Sequence, residues 1–354
     1  MSNGRYRCRW IRFLIVFFLS APVLPAAGYA QQTQGDAEGN WKQICASAKA
    51  QPLITAQPTE PLSAERLANC DETALYYGLG NKPDYAAALQ CGWYQRMHPQ
   101  HAVGNMFYGP GVLAMLYANG KGVPRNYDLA IRFACEDSWA AEAEMANRIG
   151  HLEHLRDTGS QQATFDLCDD AMSGLSDGSC TSISTRAAGA IRSRKIAHIV
   201  DMLSERARSA FPPLQSAESS FEQARIDHEI DLSGTSRAAF QLREEAKLRD
   251  QFLIDLQRFG KGDIPPASEA ELSLYDKKLS EIYLRIEHAR AGNWEFGTVK
   301  PEGIRETERR WISLTDAWIA FARIAYPNLS TPRIRVQLIR LRIHQLRSIN
   351  DELR

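Results

Sequence analysis

Apolar residues recur at every third or fourth position along most of this 354-residue chain. The stretch 111–117 (GVLAMLY) and the spacing of Ile304, Trp311 and Leu314 are two instances. Such a period places apolar side chains on one face of a helix. Nowhere does a sustained run alternate β-branched with polar residues, as a half-buried strand requires. The pattern therefore predicts an all-α protein.

One segment of the N-terminal half occurs twice, 42 residues apart. In each copy an apolar helix leads into a pair of glycines, which readily adopt the left-handed conformation that ends a helix. In the second copy Pro124 prevents the helix from continuing, and Asn126 can cap the next one. Each copy is predicted to be a helical hairpin, and a fixed period of this length is typical of solenoids. The recurring residues are Gly78, Gly80, Tyr85 and Ala88, matched by Gly120, Gly122, Tyr127 and Ala130.

The second copy resembles the SEL-like repeat, a relative of the tetratricopeptide repeat, over residues 113–130. The upstream copy, over 75–94, has Asn81-Lys82 in place of the usual Val-Pro. The resemblance implies a short α-solenoid over 41–195 whose grooves bind proteins or glycan-linked partners. We expect helices at about 139–156 and 163–176 to form a third hairpin. The signature residues are Tyr117, Gly120, Gly122, Tyr127 and Ala130.

The C-terminal half contains a fainter duplication, in which 214–253 is similar to the segment that begins at Ile304. Both segments resemble the lysozyme-inhibitor LprI-like domain, although Thr315 stands where that family usually has Arg, and its cysteines are absent. The later segment runs into Arg340-Leu341-Arg342, and the earlier one into Lys247-Leu248-Arg249. The resemblance implies an LprI-like domain over 268–354, a degenerate unit over 200–260 and a lysozyme-type hydrolase as partner. The LprI-like signature residues are Trp311, Asp316, Arg342 and Leu346.

Trp311 is expected to anchor the core of this half, buried by a helix over 333–349. Trp318 lies seven residues on, near the same helical face. Because this half has no cysteine, burial of aromatic side chains must supply much of its stability. The arginines of the 333–349 helix are interpreted as a solvated basic edge. They are Arg333, Arg335, Arg340, Arg342 and Arg347.

Residues 1–30 have the order of a secretory signal peptide: four arginines, an apolar run at 13–19, and a Gly-Tyr-Ala ending. Pro22 and Pro25 interrupt the run, which favours a cleaved signal over an uncleaved membrane anchor. Cleavage leaves 38 basic and 42 acidic residues, a net charge of −4, which suits neither nucleic acid nor an anionic membrane. We expect a periplasmic or secreted protein, not inserted in a membrane, with a mobile leader at 31–40.

Six cysteines follow residue 30, and all of them precede residue 181. An even number in an exported chain indicates disulfides, with 15 connectivities open. A hairpin turning near Asn81 brings Cys70 and Cys91 to similar distances from the turn, so this pair is the first choice. Cys168–Cys180 is the second. The remaining disulfide candidates are Cys45 and Cys135.

Motifs for catalysis or metal binding are weak. The stretch 174–178 (GLSDG) matches the nucleophile-elbow pattern, but no strand precedes it, so we interpret it as a turn between the cysteines that flank it. His98 with His101, and His151 with His154, lack a third ligand nearby and are interpreted as surface histidines. The chain has no phosphate-binding loop, no HExxH and no CxxC. No catalytic residue, metal or cofactor is predicted.

Two classes of function remain. The first is a non-enzymatic interaction protein of a bacterial envelope, which binds a protein partner and is a candidate inhibitor of a lysozyme-type hydrolase. The alternative is an enzyme that acts on cell-wall glycan through an unrecognised pair of carboxylates. A cleft with two facing, partly buried carboxylates favours the enzyme. A helical surface with exposed aromatic residues favours binding.

Overall fold

The computed structural model describes residues 32–53, 61–99, 106–137, 140–159, 162–288 and 297–352. Over these residues the chain is all-α, as predicted, and has no strand. The predicted signal peptide lies outside them, and residues 32–40, predicted to be a mobile leader, form the first part of α1. The helices are α1 (Gln32–Ala50), α2 (Ala64–Ala68), α3 (Glu72–Tyr77), α4 (Tyr85–Met97), α5 (Pro110–Asn119), α6 (Tyr127–Ala134), α7 (Glu142–Thr158), α8 (Gly174–Asp201), α9 (Glu205–Ser209), α10 (Phe211–His228), α11 (Arg237–Lys261), α12 (Glu269–Glu287), α13 (Pro301–Ala325) and α14 (Thr331–Glu352).

The two hairpins, α3–α4 and α5–α6, have the same turn. Gly78 and Gly120 end the first helix of each hairpin in the left-handed conformation, with φ of 70° and 64°. The side chains of Asp84 and Asn126 then cap the second helix by accepting a backbone N–H three residues on. Backbone hydrogen bonds recur at the same 42-residue spacing: Leu79 N to Ala74 O and Asp84 N to Leu75 O are matched by Lys121 N to Leu116 O and Asn126 N to Tyr117 O.

Helix α5 is the centre of the N-terminal core. Its residues from Val112 to Ala118 are all buried, because α4 and α6 pack against it. Tyr117 stacks on Phe133 with ring centroids 5.5 Å apart, and Ala130 is fully buried. These repeat-signature side chains therefore act in packing.

The predicted third hairpin is only half present. Helix α7 forms and is capped by Gly159, but within 163–176 only a short 3-10 helix, Leu167–Asp170, precedes α8, which begins at Gly174. Between them the backbone of Phe165 is held by Asn119 at the end of α5. The Asn119 side chain accepts from Phe165 N at 2.8 Å and donates to Phe165 O at 2.7 Å. The bond to Phe165 O occupies an acceptor that an α-helix at 163–176 would use for the N–H four residues on.

Three disulfides staple the N-terminal half. The first two choices from the sequence are both present: Cys70–Cys91 with a Cα–Cα distance of 6.0 Å, and Cys168–Cys180 with 5.7 Å. The third joins Cys45 on α1 to Cys135 after α6, across 90 residues of chain. It encloses the Cys70–Cys91 bridge.

The C-terminal half has one core that continues across the loop at 262–268. Side chains from α10 to α14 all contribute to it, so the predicted units 200–260 and 268–354 are packed together. Trp311 is 7% exposed, which confirms its predicted burial. Its helix lies mainly along α10, however, and not along α14. Trp318 is the aromatic centre of the core, with ring centroids 5.5 Å from Phe252 and 4.9 Å from Phe259.

The interpretation of the arginine run on α14 as a solvated edge is wrong for Arg342. This side chain is fully buried and binds both carboxylate oxygens of Glu229, at 2.6 and 2.8 Å. It also contacts Glu308 at 3.0 Å, while Arg225 binds Glu229 at 2.6 Å. The sequence reveals the apolar spacing of α14, but it does not reveal that the distant Glu229 pairs with Arg342 and so allows this arginine to be buried. Arg347 is exposed, as predicted.

Helix α8 belongs to both halves. Ile183, in its first part, lies in the N-terminal core, and Ile196 and Val200 pack against the C-terminal core. Its partner along most of its length is α11. Among the described helices, none is both long and apolar enough to cross a membrane.

Candidate functional site

A cavity of about 910 Å³ lies between the first hairpin and α8. We call it the inter-half cleft, because α3 and α4 form one wall, α8 forms the other, and the start of α11 closes its edge. Ligand-binding clefts typically have volumes of about 300–1,000 Å³. The side chains that line it include Asp71, Glu72, Gln95, Tyr108, Leu175, Arg186 and Arg237.

Glu72, the first residue of α3, supplies a carboxyl group to the cleft. It is 5% exposed, and its Oε1 accepts from Gly109 N at 3.2 Å. Burial raises the pKa of Glu72 to about 7, although its hydrogen bonds favour the ionised form and lower the pKa. The neighbouring Cys70–Cys91 disulfide holds the start of α3 against α4. The carboxyl group is therefore fixed in place and titrates near neutral pH.

Gln95 on α4 adds an unmet acceptor beside this carboxyl group. Its side chain is 7% exposed, and Oε1 is buried with no hydrogen-bond partner in the described structure. Its backbone oxygen accepts from the Tyr108 hydroxyl. A buried acceptor without a donor costs about 1–3 kcal/mol. Because Oε1 is shielded from solvent, a partner's N–H or O–H group would recover that free energy only with a rotation of the Gln95 side chain toward the cleft.

The rim of the cleft is charged and partly apolar. Asp71 caps α3 by accepting from Ala74 N at 2.7 Å, and its other oxygen accepts from Arg186 at 3.4 Å. Arg237 lines the opposite edge. Leu175 projects from α8 and is 42% exposed. The rim can therefore contact both polar and apolar parts of a bound segment.

The GLSDG stretch lines this cleft but has no nucleophile. It is not the predicted turn, because it forms the first turns of α8 after the cap Ser173. Ser176 is 1% exposed, and its hydroxyl donates to Glu144 Oε2 at 2.8 Å. Although burial opposes ionisation, hydrogen bonds from the backbone of Ser173 and Met172 keep the pKa of Glu144 below its usual range. Ser176 serves to fix α7 to α8.

The histidines do not form a site within the described structure. His98 stacks on Tyr94 and contacts its backbone oxygen at 2.7 Å, and His101 lies outside the described residues. His151 lies 3.2 Å from Asp170, whereas His154 is exposed. No group of three or more metal-binding side chains occurs among the residues described.

Glu218 and Asp255 are among the buried carboxyl groups of the C-terminal half. Glu218 on α10 is 9% exposed and Asp255 on α11 is 4% exposed. Burial, with added repulsion from Asp255, raises the pKa of Glu218 to about 8. Burial also raises the pKa of Asp255 to about 7. Glu218 borders a separate cavity between α8, α10 and α11.

No motif in the sequence marks Glu72, Gln95 or Glu218 as functional residues. A signal for Glu218 exists, since it lies four residues after Leu214 and three before Phe221, on the buried face of α10. The LprI-like signature residues do not converge on a site: Trp311, Arg342 and Leu346 are buried, whereas Asp316 is exposed.

Comparison of the chain with known protein families, curated proteins and solved structures finds no match. The SEL-like and LprI-like resemblances therefore rest on the quoted residues alone.

Proposed function

We propose that this chain is an exported, non-enzymatic interaction protein that binds a protein partner in the inter-half cleft. The observation that carries the proposal is the unmet acceptor Gln95 Oε1 at a cleft of about 910 Å³. With Glu72 beside it, the cleft favours a partner loop that inserts a side chain with N–H donors. A net charge of −4 without residues 1–30 further favours a basic partner.

The resemblances refine the proposal. The SEL-like turns, repeated in α3–α4 and α5–α6, imply a scaffold of hairpins that presents a groove to proteins or glycan-linked partners. The LprI-like resemblance implies a lysozyme-type hydrolase of the bacterial envelope as the partner. Export is supported by the order of residues 1–30 and by three disulfides, which persist in oxidising compartments.

The test is an affinity pull-down from envelope extract with the mature chain, beside a lysozyme inhibition assay. Leu175→Glu places a charge in the cleft. Leu274→Glu, at an exposed position of α12, is the matched control. Loss of the partner, or of inhibition, with the first variant and retention with the second supports the proposal. Equal retention by both would place the interaction elsewhere. N-terminal sequencing of exported protein should begin after Ala30, and a start at Met1 would contradict cleavage.

A second candidate function is an enzyme that acts on cell-wall glycan, favoured by a cleft carboxyl group whose pKa is raised to about 7. Such a group suits a general acid. The adjacent Asp71 would be the second carboxylate, but it is occupied by Ala74 N and Arg186. Glu72→Gln should abolish any release of soluble glycan from purified cell wall, with Glu65→Gln as control. Absence of release by the native chain favours the interaction protein.

A further inference from the structure

The cavity beside Glu218 differs from the inter-half cleft in position and in chemistry. It has a volume of about 430 Å³ and lies between α8, α10 and α11. Glu218 makes no hydrogen bond or ion pair with any described residue. Its carboxyl neighbours, Asp255 and Glu222, only repel it. A carboxyl group buried this deeply normally has a cation beside it.

The same cavity holds an unmet donor of opposite charge. Arg192 on α8 is 6% exposed, and its Nε donates to Asp250 at 2.7 Å. Its Nη2 is buried without an acceptor in the described structure. The other two arginines that line the cavity have carboxylate partners: Arg249 binds Glu222 at 2.8 Å and also Glu245, and Arg186 lies 3.4 Å from Asp71. The carboxyl group of Glu218, which its carboxyl neighbours repel, and Nη2 of Arg192 are thus left without partners of opposite charge.

A comparison within the chain explains why the cavity exists. Buried positions of α11 recur 90 residues later on α14, and this spacing aligns Phe252 with Arg342. Arg249, which stands in the similar stretch of sequence, is exposed and does not correspond to the buried Arg342. In this register Glu218 corresponds to Glu308, which has Arg342 as its cation at 3.0 Å. The buried pairs are Leu248 and Leu338, Phe252 and Arg342, Leu253 and Ile343, Leu256 and Leu346, and Phe259 and Ile349.

The same register accounts for the empty volume. Gly189 on α8 corresponds to Leu279, which fills the core between α12 and α14. A Cβ on Gly189 would meet only Arg192 Nη1, at 3.8 Å, so a side chain could be accommodated there. Ala246 likewise corresponds to the buried Val336. The cavity therefore lies where Gly189 and Ala246 are small and where Glu218 has no counterpart of the arginine that pairs with Glu308.

We propose that this cavity binds a free α-amino acid, whose ammonium group pairs with Glu218 and whose carboxylate accepts from Arg192. A simple amine would satisfy only Glu218, and a simple acid only Arg192. Ile196, Leu242 and Phe252 line the cavity and would contact an apolar side chain of the ligand. The volume of the cavity falls within the range of small-molecule sites. Arg186 lines both cavities, but Glu218 and Arg192, which would bind this ligand, lie outside the inter-half cleft.

Binding should release protons. Glu218 is largely protonated at neutral pH without ligand, and an ammonium group favours its ionised form. About one proton should therefore leave per ligand bound at pH 7. Asp255 on α11 and Glu222 on α10 are the charged groups that raise the pKa of Glu218 further. The other charged side chains that line the cavity are Arg186 and Arg192 on α8 and Glu245 and Arg249 on α11.

The experiment is isothermal titration calorimetry of the full chain with a panel of L- and D-amino acids, in two buffers of different ionisation enthalpy. At least one member should bind saturably with proton release. Its N-acetyl and amide derivatives, which lack the ammonium or the carboxylate, should each bind at least about 30-fold more weakly. Gly189→Leu should abolish binding, and Gly150→Leu, in open space on α7, should leave it unchanged.

The proposal is overturned if no member of the panel binds, if either derivative binds as well as the parent, or if Gly189→Leu binds normally. Glu218→Gln should weaken binding by at least about 30-fold and remove the proton release. The derivatives are tested on the native protein, so the conclusion does not depend on how any variant folds. A Gly189→Leu variant that no longer binds the amino acid should still recover the partner of the inter-half cleft in the pull-down. The two proposals can therefore fail separately.

Discussion

At the scale of single residues, some buried charged groups are stabilised by a partner of opposite charge, whereas others lie near groups of like charge. Arg342 and Glu229 are both fully buried and bind each other through two hydrogen bonds. The charges of Arg342 and Arg225 hold the pKa of Glu229 below its usual range, despite its burial. Glu218, without a cation, has a pKa raised to about 8.

Arg342→Met should reduce the free energy of unfolding by about 3–5 kcal/mol, because it leaves Glu229 buried with one cation fewer. Arg347→Met, on the exposed face of the same helix, should change it by less than about 0.5 kcal/mol. Urea denaturation followed by circular dichroism measures both. Similar values for the two variants would show that the buried pair contributes no more than a surface arginine.

The stability of the C-terminal half should fall as the pH rises from 5 to 8. Glu218 is protonated in the folded protein but ionised in the unfolded chain over the window from its ordinary pKa, 4.5, to about 8. Raising the pH in this window therefore favours unfolding. Glu218→Gln should be more stable than the native chain at pH 8, by roughly 1–3 kcal/mol, and nearly equal at pH 5. Urea titrations at both pH values test this, and parallel pH profiles would contradict it.

At the scale of elements, the paired hairpins depend on turn glycines that a side chain would strain. Gly120 has a φ of 64° and ends α5 with its N–H donating to Leu116 O. Gly122 also has a positive φ and lies against Tyr85 of the preceding hairpin, where a Cβ would come within 2.9 Å. The glycine pair therefore serves both the turn and the contact between hairpins.

Gly120→Ala should destabilise the N-terminal half by about 1 kcal/mol or more, since alanine is disfavoured at positive φ. Gly150→Ala, in the middle of α7 with nothing near its Cβ position, should stabilise it by about 0.5–1 kcal/mol. Thermal unfolding of the two variants, compared with the native chain, shows whether each substitution raises or lowers the stability. A stabilising Gly120→Ala would mean that the turn tolerates a side chain.

Much of this local structure follows from the sequence, and the sites do not. The hairpin turns and two of the disulfides were predicted because glycines, caps and cysteines lie within 21 residues of one another. The inter-half cleft joins Glu72 to Leu175 and Arg237, which only tertiary packing brings together. Arg342 was misassigned for the same reason, since its partner Glu229 is 113 residues away.

At the scale of the whole molecule, the two cores are stabilised by different means. Disulfides and the close packing around α5 hold the first. Aromatic burial around Trp318 holds the second, which has no cysteine. Helix α8, 28 residues long, contributes side chains to both.

Reduction and a core mutation should therefore act on opposite halves. Dithiothreitol should increase hydrogen exchange in α5 and α6 while α13 and α14 stay protected. Trp318→Ala should cost about 3–5 kcal/mol and expose α13 and α14 first. Hydrogen exchange with mass spectrometry resolves the two patterns, with the ends of α8 following their respective cores. Equal loss of protection in both halves would show that the chain unfolds as one unit.

The nesting of the disulfides has a consequence for biosynthesis. A chain that enters an oxidising compartment from its N-terminus presents Cys45 and Cys70 before Cys91, and Cys135 later still. Joining thiols in order of arrival would pair Cys45 with Cys70, whereas the folded protein pairs Cys45 with Cys135 around the Cys70–Cys91 bridge. If the chain is exported in this way, maturation would require either that Cys45 stays reduced until Cys135 has emerged, or that thiol–disulfide exchange corrects an early mispairing.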